Sequence, residues 1–149
     1  MTTLTTTDAP LASRDSLSEP LTTDRLLEEQ VLSCMGPACR TQVWLLLLDS
    51  DERQLPVAIP CDDLRPEPSE LEVDNLAAFA AGMLFDRGGS QLVMVWERQG
   101  RSSPTPADAR WAAAFAERCE RRGIRLRAQL LCHSRGVRVL RPAELRAAA

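Results

Sequence analysis

The chain has 149 residues, 44% of them apolar, and a formal net charge of −3. That is enough for one domain with its own core, and no apolar run approaches the roughly 20 residues of a membrane span, so no membrane partner is expected. The charge is unevenly divided: residues 1–96 carry 6 basic and 16 acidic side chains, residues 97–149 carry 12 and 5, and every basic residue is arginine.

The first stretch, MTTLTTTDAPLASRDSLSEP, is rich in Thr, Ser and Pro, with no basic start and no apolar segment. It lacks the pattern of a signal peptide. It also cannot bury enough apolar surface to offset the entropy of ordering, so residues 1–20 are expected to be a disordered tail. Thr23 can cap a helix over Asp24–Met35, with Leu27, Val31, Cys34 and Met35 at helical spacing and Gly36-Pro37 as the stop. TQVWLLLLDS (Thr41–Ser50) is a short apolar run closed by turn residues and predicts a buried strand. After the polar turn DSDER, Gln54–Pro60 pairs back as a second strand, and Pro56 and Pro60 place it toward an edge.

Ser69 and Glu72 fit a capping box that opens a helix to Asp86. Leu76, Phe79, Ala80, Met83 and Leu84 line one face of it, and Gly88-Gly89 end it. Gln91–Trp96 is apolar on both faces, as a central strand should be. A loop then leads into a helix ending at Arg122 before Gly123. Ile124–His133 is a fourth strand, Ser134-Arg135-Gly136 a turn, and Val137–Leu140 a fifth strand. Pro142 can open a short terminal helix. Residues 21–149 are therefore expected to form one three-layer α/β domain with a mixed sheet, in the order αββαβαββ.

The five cysteines (Cys34, Cys39, Cys61, Cys119 and Cys132) are odd in number and scattered, which predicts reduced thiols in a cytoplasm. The Cys34–Cys39 spacing hints at a metal, but zinc would need two further ligands, and the chain has no second close Cys pair and one His. Five small buried hydrophobes is the expectation.

The loop after the third strand, ERQGRSSPTPADARW (Glu97–Trp111), decides the question of catalysis. Thr105-Pro106-Ala107-Asp108 reads as a helix start. The Thr hydroxyl can accept from the Asp108 N–H, Pro106 sits where a missing N–H costs nothing, and Asp108 favours the positive end of the helix and can reach back to the Thr105 N–H. Behind it Ala112, Phe115, Ala116 and Cys119 form a packing face, while Arg110, Glu117, Arg118 and Arg121 point outward.

The surroundings of this cap resemble the RadC family of the JAB/MPN superfamily. The likeness covers roughly Leu21 to Leu140. It rests on the LLLLD strand and turn, a helix before the central strand, the SPTPAD segment and GIRL entering the next strand. The resemblance implies a metal site in which the central strand ends in H-x-H followed by P-S-G. The Asp of S-x-x-D completes the zinc ligands, and an upstream Glu activates water. In this chain the H-x-H positions fall on Trp96 and Arg98, the P-S-G positions on Gln99-Gly100-Arg101, and Thr105 stands for the Ser. Asp108 alone survives. Where the family carries an Asp-His pair, this sequence has Ala128-Gln129. Residues 31–48 contain no Asp or Glu to serve as general base. Trp offers no lone pair to a metal, and a guanidinium repels one. No metal, no cofactor and no catalytic residue are therefore expected: the resemblance implies a pseudoenzyme.

Other chemistries fare no better. Glu97 and Asp108 could form a carboxylate pair, but neighbouring arginines would keep both ionised. Cys132 and His133 are adjacent on a strand and point to opposite faces, so they make a poor dyad. Arg118, Arg121 and Arg122 share a helix end and could contact phosphate or an acidic partner. The plainer reading is a solvated helix face with cations at the favourable end, and the chain's own acidic half is a candidate partner. Base stacking needs interleaved aromatics, and the chain has three Trp, three Phe and no Tyr. The function expected is a non-catalytic protein-interaction or scaffold module that self-associates. The alternatives are an anion or nucleic-acid binder built on the Arg-rich end, and a hydrolase with relocated metal ligands.

Overall fold

The computed structural model describes residues 19–61 and 64–148, which form, in chain order, α1 (Asp24–Met35), β1 (Gln42–Leu48), β2 (Gln54–Cys61), α2 (Glu70–Arg87), β3 (Gln91–Glu97), α3 (Pro106–Arg121), β4 (Leu126–His133), β5 (Gly136–Val139) and α4 (Pro142–Ala148). All but residues 19 and 20 of the expected N-terminal tail lie outside the described residues. The five strands make one mixed sheet in the order β2-β1-β3-β4-β5. β3 runs antiparallel to β1 and parallel to β4, and both outer pairs, β1–β2 and β4–β5, are antiparallel hairpins.

The apolar run of β3 is explained by its neighbours. It is central, every one of its residues is buried, and helices cover both faces of the sheet. On one face Val43, Leu45, Leu47, Leu92, Met94 and Trp96 meet Leu76, Ala80, Ala112 and Phe115 of α2 and α3 and Leu145 of α4. On the other, Leu46, Leu48, Val93, Val95, Leu130 and Cys132 meet Leu27 and Val31 of α1. The two-residue alternation of the strands thus feeds two separate apolar layers. β2, with Pro56 and Pro60, lies at the sheet edge, where a missing N–H is tolerated.

Each long helix starts where a hydroxyl can accept an orphan N–H. Thr23 accepts from Leu26, Ser69 from Glu72 and Thr105 from Asp108. The box expected at Ser69 differs in detail: the Ser69 hydroxyl donates to Glu72 Oε1 at 3.1 Å, so the carboxylate is held by the hydroxyl. The face expected for α2 is also rotated slightly. Val73, Leu76, Ala77, Ala80 and Leu84 are its buried residues, while Phe79 and Met83 pack at the edge of that layer.

Candidate functional site

The end of β3 delivers Trp96, Glu97 and Arg98 in succession, and strand alternation sends their side chains different ways. Trp96 points into the layer under α2 and α3. Its indole lies 5.8 Å from the Trp111 ring and 6.4 Å, edge-on, from Phe115. Its Nε1 donates to Gln129 Oε1 at 2.9 Å, and Gln129 Nε2 donates to the Ala112 carbonyl at 2.8 Å. One position of the expected H-x-H pair is therefore filled by a buried indole whose one polar atom is satisfied within the core. Gln129, from the strand segment where the resemblance implies ligands, serves as its acceptor.

Arg98 holds the loop together. Its Nε and Nη2 donate to Asp108 Oδ2 at 3.0 and 2.8 Å, and its Nη1 and Nη2 donate to the carbonyls of Arg101 and Ser103 at 2.6 and 3.0 Å. The two charged side chains are each 14% exposed. Gly100 makes room for this arrangement. It sits at φ +129°, and a Cβ there would come within 3.1 Å of Arg98 Nη1. Asp108 Oδ2 also accepts the Thr105 N–H at 2.9 Å, while the Thr105 hydroxyl accepts the Asp108 N–H at 3.1 Å. The capping box is complete in both directions. The carboxylate that would be the last metal ligand is thus shared between a helix cap and a permanent cation. These residues do not fit a zinc ion: an indole, a guanidinium and one occupied carboxylate offer no open donor set. Among the described residues, no group of three or more His, Cys, Asp or Glu is placed to hold a metal.

Glu97 turns the opposite way and is a residue whose role the sequence did not disclose. It is the last residue of β3, is buried, and accepts from four donors. The Cys39 N–H at 3.0 Å and thiol at 3.6 Å reach Oε2, and Gln42 Nε2 at 3.1 Å and Trp44 Nε1 at 3.0 Å reach Oε1. Burial pushes its pKa upward, but the donors from Cys39, Trp44 and Gln42 prevail and hold the carboxyl below its ordinary value. The expectation that neighbouring arginines act on both Glu97 and Asp108 is corrected at Glu97 alone. Arg98 bonds Asp108, whereas neutral donors bond Glu97, and the two carboxylates have separate partners. An acidic residue closing an apolar strand was the available signal; in the sheet it lies directly across from Gln42, with Trp44 two places along the same strand.

Between β1, β3 and α3 lies a groove of about 430 Å³, bordered by Gln42, Val43, Trp96, Glu97, Arg98 and Asp108. Trp96 and Val43 give it an apolar lining, and Gln42, Glu97, Arg98 and Asp108 are bonded as described.

The remaining candidates fall elsewhere. Arg118 and Arg122 both donate to Asp74 Oδ1 of α2, at 3.0 and 2.8 Å, and Arg121 pairs with Glu117 at 2.6 Å. Arg122 first and then Arg118 hold the Asp74 carboxyl below its ordinary range. Arg110 pairs with Glu67, and Arg127 with Asp24 and Glu52. Four of the twelve arginines of residues 97–149 are therefore answered by acidic residues of the first half. His133 Nδ1 accepts the Arg135 N–H at 3.2 Å, and its pKa is lowered by burial and by the charges of Arg98 and Arg138. The Cys132 thiol faces away and donates to the Gly36 carbonyl at 3.3 Å, so the two form no dyad. Burial, with Glu97 and Cys39 nearby, pushes the Cys132 thiol up to about 11, and burial pushes that of Cys119 up to about 12. All five cysteines are free, but the expectation of five buried ones is corrected: Cys61, Cys119 and Cys132 are buried, Cys34 is half-buried and Cys39 is exposed. Cys39 lies in the irregular segment between α1 and β1. No helix among the described residues is long and apolar enough to cross a membrane.

No protein-family model matches this chain, and no curated protein matches it.

Proposed function

We propose that this chain is a degenerate RadC-like domain of the JAB/MPN type, in which the hydrolytic site has been refilled, and that it acts as a non-catalytic interaction or scaffold module that associates with itself. The observation that carries this reading is Arg98. Its guanidinium stands at a position where the resemblance calls for a metal ligand, and it neutralises the surviving Asp108 through two hydrogen bonds. A cation built into the chain takes the place of a bound one and keeps the loop and the helix start in register, which preserves the scaffold without the chemistry. Trp96 supports the same reading, because an indole bonded to Gln129 leaves no site for an activated water. Five free thiols suit a reducing compartment such as the cytoplasm.

The test is hydrolysis of peptide and isopeptide substrates by the purified chain with zinc supplied. No turnover above a buffer control is expected. Turnover that a chelator abolishes, and that is lost in Asp108→Ala, would refute the reading and promote the hydrolase with relocated ligands.

A further inference from the structure

His133 is the chain's one histidine, and it stands where β4 turns into β5. It is 8% exposed. Its Nδ1 accepts the Arg135 N–H at 3.2 Å, which sets the tautomer: the neutral ring carries its proton on Nε2. Burial first, and then the charges of Arg98 and Arg138, lower its pKa, so the ring is neutral at pH 7. Nothing among the described residues accepts the Nε2 proton. Nor is that nitrogen sealed in the core. Gln54 Nε2 is the one fully buried side-chain polar atom among the described residues that lacks a partner, so Nε2 of His133 is open to solvent. A side chain held more than nine-tenths buried thus presents one oriented, unused donor at the surface.

The surroundings of that donor are cationic. Gly100 and Ser134 exchange two hydrogen bonds: the Gly100 N–H donates to Ser134 Oγ at 2.8 Å, and the Ser134 N–H to the Gly100 carbonyl at 3.2 Å. This clasp draws the loop after β3 against the β4–β5 turn. It sets Arg101, which follows Gly100, near Arg135, which follows Ser134. Both arginines are exposed, and neither guanidinium has a partner among the described residues. Ser134 Oγ accepts in the clasp, which leaves its own proton free to donate. The charges closer to the ring are answered: Arg98 is paired with Asp108, and Arg138 with Glu144. The rim therefore offers two unpaired guanidiniums, a hydroxyl proton and an imidazole N–H, all of them donors.

We propose that this rim binds a terminal phosphate, as free inorganic phosphate or as the monoester of a small molecule, on His133, Ser134, Arg101 and Arg135. A set of donors with no acceptor suits a fully ionised oxyanion, and guanidinium forks match the edge of a phosphate. The recessed imidazole selects a terminal group, because a phosphodiester carries a substituent on both sides that must pass the same rim. The site shares no residue with the Arg118–Arg121–Arg122 set and adds a function to the interaction module.

A single histidine makes the test direct, since the imidazole resonances in the NMR spectrum of the full chain all belong to His133. Inorganic phosphate, exchanged for chloride at constant ionic strength, should move them saturably with a midpoint on the order of 1 mM, as a few charge-assisted bonds at an open rim provide. Arg101→Gln/Arg135→Gln, at two exposed positions where the fold is not at stake, should raise that midpoint roughly tenfold or more. Methyl phosphate separates the two sources: an equal response assigns a monoester, and no response assigns free phosphate. A single-stranded DNA oligomer should leave the resonances in place at about 200 mM salt, where contacts made by charge alone are lost. No shift up to about 50 mM phosphate, far above that midpoint, would overturn the proposal. So would a shift that chloride reproduces, or an unchanged midpoint in the double variant. DNA that moves the same resonances at lower concentration than phosphate would overturn the choice of ligand and give the rim to a nucleic acid.

Discussion

Replacing Arg98 by Ala removes four hydrogen bonds at once, two to Asp108 and one each to the carbonyls of Arg101 and Ser103. Hydrogen bonds to charged groups contribute about 1.5–3 kcal/mol each when measured alone, but these four are not additive. The two to carbonyls are solvent-accessible and are readily replaced by water. Asp108 retains the Thr105 N–H, so its charge is not left without a partner. At 14% exposure of both side chains the pair is neither a surface ion pair, with a median of about 0–1 kcal/mol, nor a fully buried one, whose disruption costs about 3–5 kcal/mol. The expected loss is about 2 kcal/mol, intermediate between those limits. For a domain of this size that corresponds to a fall in Tm of about 6–8 °C. Urea denaturation followed by tryptophan fluorescence reads it directly, since Trp96 and Trp111 sit beside the loop. Combining Arg98→Ala with Asp108→Asn, which keeps a side-chain oxygen for the cap, should reveal a coupling of about 1 kcal/mol or more. An unchanged midpoint in Arg98→Ala, or strictly additive losses, would refute the idea that the guanidinium secures the loop and the start of α3.

Glu97 and the arginines at the end of α3 carry two further predictions. Because the Glu97 carboxyl is held below its ordinary value of 4.5, its contribution to stability is complete above that value and is lost as pH falls through the depressed one. Glu97→Gln should lower stability at neutral pH and flatten the acid limb of the stability curve, read from denaturation midpoints across pH; an acid limb identical to wild type would contradict the assignment. The Arg118–Arg121–Arg122 set should bind nucleic acid only by charge. Fluorescence anisotropy with labelled single- and double-stranded DNA should show weak binding at about 50 mM salt that vanishes by about 200 mM, whereas tight binding that survives the salt and is lost in the triple alanine variant would establish a nucleic-acid site.

The elements were legible in the sequence because each is announced locally. Thr23, Ser69 and Thr105 mark helix starts, Gly36 and Gly88 mark ends, and the run from Gln91 to Trp96 has the apolar character of a strand covered on both sides. At the end of β3, the sequence showed that Trp96 and Arg98 are poor metal ligands wherever the fold places them. What these side chains bond to was not legible, because it depends on contacts between distant residues. The Trp96–Gln129 bond joins two strands, and the Glu97 carboxylate draws its donors from the segment and strand after α1. Both are long-range pairings that no local pattern encodes. The pairing of Arg118 and Arg122 with Asp74 was foreshadowed only by the opposed charges of the two halves. Cys39 was misplaced for a related reason, since cysteine as a residue type favours burial and only the path of the chain leaves it exposed among the described residues.

The central claim is that Arg98 occupies the cation's position beside Asp108, and metal content tests it most directly. Elemental analysis of the purified chain, dialysed without chelator after exposure to zinc, should find zinc far below one ion per chain, and Asp108→Ala should not change the value. One tightly held zinc per chain, lost in Asp108→Ala, would contradict the account.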